Sequence, residues 1–255
     1  MSGPPIDESL LAFATEIVRE AGEYTLGVWR SAEFHIEHKG DGSPVTEADL
    51  GAERLLRDRI HERFPDDAIL GEEQGQHDGS SGRRWVIDPI DGTYTFTRGV
   101  ALYSNLLYLE DEHGPAVGVI NVPGIGELVA AGRGRGCFLN GQRCHVNDHP
   151  TLEHALLNAS GFDWWDPELL ERVHRSGVHM RTWGDGYGYL LVATGRAEAM
   201  VDPVASFWDI AACQVVIAEA GGTWSTLTGT RDAHEGSFVA TNGRIHDELL
   251  EAIGD

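Results

Sequence analysis

Lysine is nearly missing from this chain. Lys39 is the single lysine among 19 Lys and Arg residues. Arginine in place of lysine throughout reads as the coding bias of a GC-rich genome and says little about function. The one lysine that survives draws attention to position 39, although a plain surface position fits it equally well. Positive charge as a whole is scarce, with 41 Asp and Glu giving a formal net charge of −22. That excludes broad contact with nucleic acid phosphates or an anionic membrane. It leaves open a small phosphorylated substrate, provided that cations bridge the two. Cysteine is sparse too. Cys137, Cys144 and Cys213 are odd in number and lack C-x-x-C spacing, which argues against a disulfide framework and for a reducing compartment. No apolar run approaches the roughly 20 residues that span a bilayer. The N-terminus has no basic stretch followed by an apolar core, so no signal peptide and a cytoplasmic location are expected. Internal repeats and low-complexity linkers are absent as well.

What is present is ordinary globular material: 255 residues, 41% hydrophobic and 24% charged, enough for one large core or two small lobes. Residues 7–29 carry apolar side chains at helical spacing behind Asp7, a candidate N-cap. Phe34 to His38 alternates like a short strand. A Gly/Pro loop from Lys39 leads to Thr46, a candidate N-cap for a second helix that ends at Pro65. Residues 102–140 read as a meander of short antiparallel strands. Beyond residue 150, strands and helices alternate more regularly. The expected division is an α+β lobe, 1–150, and an α/β lobe, 151–255.

The organising stretch is Trp85-Val-Ile-Asp-Pro-Ile-Asp-Gly-Thr93. Its apolar start reads as the end of a buried strand, which Pro89 is expected to stop. Asp88 and Asp91 then project from one strand end with the Ile90 carbonyl between them. Hard divalent cations favour such a rigid, anionic, all-oxygen set. A polar turn is the plainer alternative. Other acids share the same context, where a strand ends or a helix begins: Glu72 after Ala68-Ile-Leu70, Asp209 behind Ser206, and Asp49 behind Thr46. In α/β architectures that edge is where ligands sit. Each has a local alternative. Glu72-Glu73 fits a solvated turn, and Asp49 and Asp209 both fit capping boxes.

Three stretches together resemble the signatures of the inositol monophosphatase superfamily. They are Gly71-Glu72-Glu73, the Trp85–Thr93 run, and Trp208-Asp209-Ile-Ala-Ala followed by Glu219-Ala-Gly-Gly222. The resemblance implies a layered αβαβα sandwich of the inositol monophosphatase and fructose-1,6-bisphosphatase type, a mixed α/β fold. It also implies a lithium-sensitive, Mg²⁺-dependent phosphatase of small phosphomonoesters, usually a homodimer. Two to three Mg²⁺ per subunit are implied, with Mn²⁺ as a substitute. Glu72, Asp88 and the Ile90 carbonyl would hold one ion, and Asp88, Asp91 and Asp209 a second. Glu72 would also help to hold a weaker third, which places it in the catalytic set. Thr93 and Asp49 would orient and activate the attacking water, and the Gly92 and Thr93 amides would cradle the phosphate. Lys39 sits where the family often carries a lysine near the metals. One departure stands out: Thr95 replaces the family's usual Asn, so an altered contact or loop is expected there.

The metal signatures do not name the alcohol. Gly184-Asp185-Gly-Tyr-Gly-Tyr189 resembles the version found in the histidinol-phosphate phosphatase branch, as does Arg98-Gly99. Asp202 falls where the family places a substrate-contacting acid, and a carboxylate there suits an ammonium group. Asp185 also fits a helix N-cap. L-Histidinol phosphate is therefore the expected substrate. An inositol, sugar or aminocyclitol phosphate is the alternative within the class, and a catalytically idle binding relative is the alternative outside it.

Overall fold

The computed structural model describes residues 3–31, 35–38, 40 and 44–254. Lys39 lies outside the described residues. In chain order the elements begin with α1 (Glu8–Ser31), β1 (Ile36–His38), β2 (Pro44–Thr46), α2 (Glu47–Arg63), β3 (Ala68–Gly71), β4 (Gly75–His77) and β5 (Arg84–Asp91). There follow α3 (Thr93–Thr97), β6 (Ser104–Asp111), β7 (Gly114–Val122), β8 (Glu127–Gly132), β9 (Gly136–Leu139) and β10 (Gln142–Cys144). The remainder comprises β11 (Leu156–Asn158), α4 (Pro167–Arg175), β12 (His179–Arg181), α5 (Asp185–Ala193), β13 (Ala199–Asp202), α6 (Phe207–Glu219), β14 (Thr223–Ser225), β15 (Phe238–Thr241) and α7 (His246–Ile253).

Two sheets form the frame. The larger has eight strands in the order β10-β9-β8-β7-β6-β5-β3-β4. It is antiparallel except where β3 runs parallel to β5. The smaller has five strands in the order β12-β11-β13-β15-β14. Alternation along β5 and β6 assigns each face of the large sheet. Trp85, Ile87, Leu107 and Leu109 pack against Phe13, Ile17 and Val18 of α1 and Leu56 and Ile60 of α2. Val86, Leu106 and Tyr108 point the other way, to Leu190, Val192, Ile210 and Val216 of α5 and α6. Met200, Phe238 and Ala240 of the small sheet close over the same two helices. The small sheet's outer face, Leu157, Val201 and Val239, carries Leu169 and Val173 of α4 and Leu249 and Ile253 of α7. The layers are thus α1/α2, large sheet, α5/α6, small sheet, α4/α7: the αβαβα sandwich that the resemblance implied. Helices α5 and α6 are apolar on nearly every side because each face meets a sheet.

One local expectation needs correction. Pro89 does not end its strand: β5 continues to Asp91, with an irregularity against β6 between Asp88 and Asp91. Pairing with β3 has already stopped at Gly71 and Ile87, so the missing proline donor falls where no ladder bond is owed. The Pro89 carbonyl is held instead by Asn105 Nδ2 at 2.7 Å. The Gly/Ser-rich stretch before Arg84 is held to the frame at two places. β4 pairs with β3, and the Ser80 and Ser81 amides donate to Asp66 O at 2.8 and 3.0 Å. Among the described residues no helix is long and apolar enough to cross a membrane. All three cysteines are free. Cys137 and Cys144 face each other in the β9–β10 register with sulfurs 3.5 Å apart.

Candidate active site

Strand ends of both sheets and the starts of α3, α5 and α6 meet at one cleft of about 450 Å³. Glu72, Asp88, Ile90, Asp91, Gly92, Thr93, Asp185 and Asp209 all line it. A larger groove, about 600 Å³, runs between α4, α7 and residues 227–229. It does not gather such a set of acids, and its Asp166 is committed to capping α4.

Asp88 is 2% exposed, and its Oδ1 has no hydrogen-bond partner. Burial, then the charges of Glu72, Asp91 and Asp209, drive its pKa well above the usual carboxylate range. Asp91 is raised in the same sense, by burial first and then by Asp185 and Asp209. Its Oδ2 accepts from Ser104 Oγ at 2.7 Å and from the Gly186 amide. Asp209 caps α6 as its spacing suggested, accepting from Ser206 N at 2.8 Å. Burial nevertheless pushes it up to about 7. Asp49 likewise closes the capping box of α2, its Oδ2 accepting from Thr46 N at 2.8 Å and Thr46 Oγ1 at 2.6 Å. Burial raises it to about 6. Capping and site placement are therefore not exclusive. One carboxylate oxygen caps while the other is free to act: Asp49 Oδ1 stands 3.5 Å from Thr93 Oγ1, which is also 3.1 Å from the Ile90 carbonyl.

Asp185 is not the N-cap of α5. Gly184 holds that position without a side-chain cap, and Asp185 follows with φ of +52°. Its amide donates to Ser160 Oγ at 3.0 Å, and Thr95 Oγ1 donates to its Oδ2 at 3.4 Å. Thr95 thus contacts the acid that the sequence linked to specificity. Burial raises Asp185 to about 6, with the charge of Asp202 adding to the effect. Gly92 has φ of +79°, and a Cβ there would come within 2.6 Å of Asp185 Oδ2, so both conformation and space call for glycine. Asp202 lies behind the cleft wall rather than on it. Its carboxylate accepts from Tyr189 Oη at 2.7 Å and Ser160 N at 3.0 Å.

Three supporting residues escaped the sequence reading. Glu53 is fully buried and holds the turn after Glu72, accepting from Glu73 N at 2.8 Å and Gln74 N at 3.1 Å. Its position one helical turn after Asp49 was the available signal. Ser104 and Ser160, the partners of Asp91 and Asp185, had none.

The donor chemistry fits a hard divalent cation. The groups are oxygens, most of them anionic, and one buried carboxylate oxygen has no other partner. Among the described residues, no three Asp, Glu, His or Cys side chains stand in ready-made ligand geometry. The acids still perturb one another strongly, because Coulomb coupling in a poorly solvated pocket reaches beyond ligand distance.

A five-layer sandwich with this acidic cleft between its sheets defines a phosphoric monoester hydrolase. The family model "Inositol monophosphatase family" matches residues 6–255, and the chain belongs to that family. A histidinol-phosphatase of Chlorobaculum parvum is 39% identical over 96% of both chains. One from Mycobacterium tuberculosis is 38% identical over 97% of this chain and 98% of its own. Among solved structures, the extragenic suppressor protein SuhB of Bartonella henselae superimposes with a TM-score of 0.90 at 26% identity, covering 97% of this chain and 99% of its own.

Proposed function

We propose that the protein hydrolyses L-histidinol phosphate to L-histidinol and phosphate with the help of Mg²⁺. The observation that carries the substrate is Asp185: a half-buried carboxylate on the cleft wall, pressed against Gly92. It stands beside the expected metal-binding acids, where a cationic alcohol would be held. The names of the relatives at 38–39% identity support the same reading.

Glu72, Asp88, Asp91, Asp209 and the Ile90 carbonyl would hold the metal. When bound, Mg²⁺ would offset the charge on the phosphate oxygens and strengthen water as a nucleophile. The chain's own contribution is positioning. Thr93 Oγ1, donating to Ile90 O or Asp49 Oδ1, keeps a lone pair for a proton of the attacking water. Asp49 Oδ1 is the next acceptor, since Oδ2 is already occupied. The first-turn amides of α3 owe no bond within the helix and serve a phosphate oxygen. A homodimer in the cytoplasm is part of the same reading.

Phosphate release from histidinol phosphate, inositol 1-phosphate, fructose 1,6-bisphosphate and adenosine 3′,5′-bisphosphate, with and without Mg²⁺, tests it. Histidinol phosphate should lead by at least about tenfold in kcat/KM, and chelation should abolish turnover. Comparable turnover of inositol 1-phosphate overturns the substrate.

A further inference from the structure

Trp164 is 73% exposed and Tyr94 is 62% exposed, yet both line the active-site cleft. They come from different parts of the frame. Tyr94 lies in α3, just past the end of β5 in the large sheet, and Trp164 on the loop after β11 in the small one. The Trp164 loop is anchored on both sides. At its start, Ser160 N donates to Asp202 Oδ1 and Ser160 Oγ accepts from Asp185 N, both at 3.0 Å. At its end, Trp165 is buried, donates from its amide to Phe162 O at 3.1 Å, and packs edge-on against the Phe162 ring at 6.0 Å. The turn that sinks Trp165 leaves its neighbour outside. Trp164 has no ring stack or hydrogen bond among the described residues. Asp163 and Asp185 line the same cleft, and among the described residues no Lys, Arg or His does.

We infer that Trp164 and Tyr94 are the aromatic walls of a subsite for the alcohol half of the substrate, selecting a flat, positively charged group. This rests on the histidinol phosphate reading and extends it to residues outside the metal set. A single exposed aromatic needs no explanation. Two in one cleft, beside two carboxylates and no described cation, form a chemical pattern. Indole and phenol faces stack on an imidazole ring and attract ammonium through their quadrupoles. A polyol offers neither a flat face nor a charge, so the walls favour histidinol phosphate over a sugar phosphate. Asp163 adds negative charge at the rim, where it is partly screened.

The test compares Trp164→Ala, Trp164→Phe, Tyr94→Ala and Asp163→Asn with the native protein. It measures kcat and KM for histidinol phosphate and for glycerol 2-phosphate, which has no ring or cation, together with inhibition by free L-histidinol. For Trp164→Ala, kcat/KM for histidinol phosphate should fall at least about tenfold further than for glycerol 2-phosphate, mainly through KM. The inhibition constant for L-histidinol should rise in parallel, and Trp164→Phe should recover most of both. If the native protein shows no preference for histidinol phosphate, the substrate reading falls and this subsite with it. If the preference is native but survives Trp164→Ala and Tyr94→Ala, the subsite alone is overturned. A change of oligomeric state on gel filtration with the preference kept overturns it too, and makes Trp164 an interface residue.

Discussion

At 2% exposure, with one oxygen unpartnered, Asp88 sits among Glu72, Asp91 and Asp209. The folded protein bears that arrangement at a cost in stability, because buried like charges repel. Asp88→Asn should therefore raise the melting temperature of the metal-free protein while abolishing phosphate release, measured on the same preparation. The titration of the cleft has a definite sign. Asp209 near 7 and Asp49 near 6 are raised from the model-compound value of 3.8. The fold therefore binds these protons more tightly than the unfolded chain does. The resulting stability is full below about pH 3.8 and is lost as pH rises through 6 to 7. Melting of the metal-free protein should fall between pH 5 and 8, and Asp209→Asn should flatten the upper part of that curve. The acids that line the cleft could be picked out in the sequence because each follows a strand or opens a helix with a recognisable signature. Glu53 was harder to read: its place one turn after Asp49 puts it on the same helix face, but only the fold shows which distant turn it meets.

Helix starts hold much of this site. α2 and α6 begin with capping boxes whose third residues are Asp49 and Asp209; Asp209 lines the cleft, and Asp49 reaches it through Thr93. The spacing fits a cap or a site, and the capping bonds leave room for both, since each cap uses one carboxylate oxygen. Pro89 misled for a related reason. A proline breaks a ladder only where a bond is owed, and the sequence does not show that β3 stops at Gly71. At Gly92, the turn into α3 has φ of +79° with a carboxylate close by. Gly92→Ala should cost roughly 1–2 kcal/mol in backbone strain alone and lower kcat, as read by denaturant unfolding and steady-state assay. The β9–β10 hairpin offers a chemical check on the register. Cys144 is half-buried and its thiol pKa is lowered by the Cys137 sulfur, whereas Cys137 and Cys213 are buried and raised. Brief alkylation at pH 8 followed by peptide mass analysis should label Cys144 first and leave Cys213 untouched.

The strands of the large sheet precede residue 150 and those of the small sheet follow it, and the two share one interior. Residues of β5 to β9, α5, α6, β13, β14 and β15 form one continuous apolar cluster. Unfolding in denaturant should accordingly be a single transition, with tryptophan fluorescence and far-UV circular dichroism coinciding; two separated steps would restore independent lobes. Periodicity could not show this, since an all-apolar helix looks the same inside one domain as between two. The shared middle layer also constrains how the enzyme chooses its substrate. Swinging the halves apart would expose that common interior to water, which opposes opening and closing around a ligand. On the proposed reading, discrimination then falls to side chains around the opening, Asp185 and the short loop that carries Trp164.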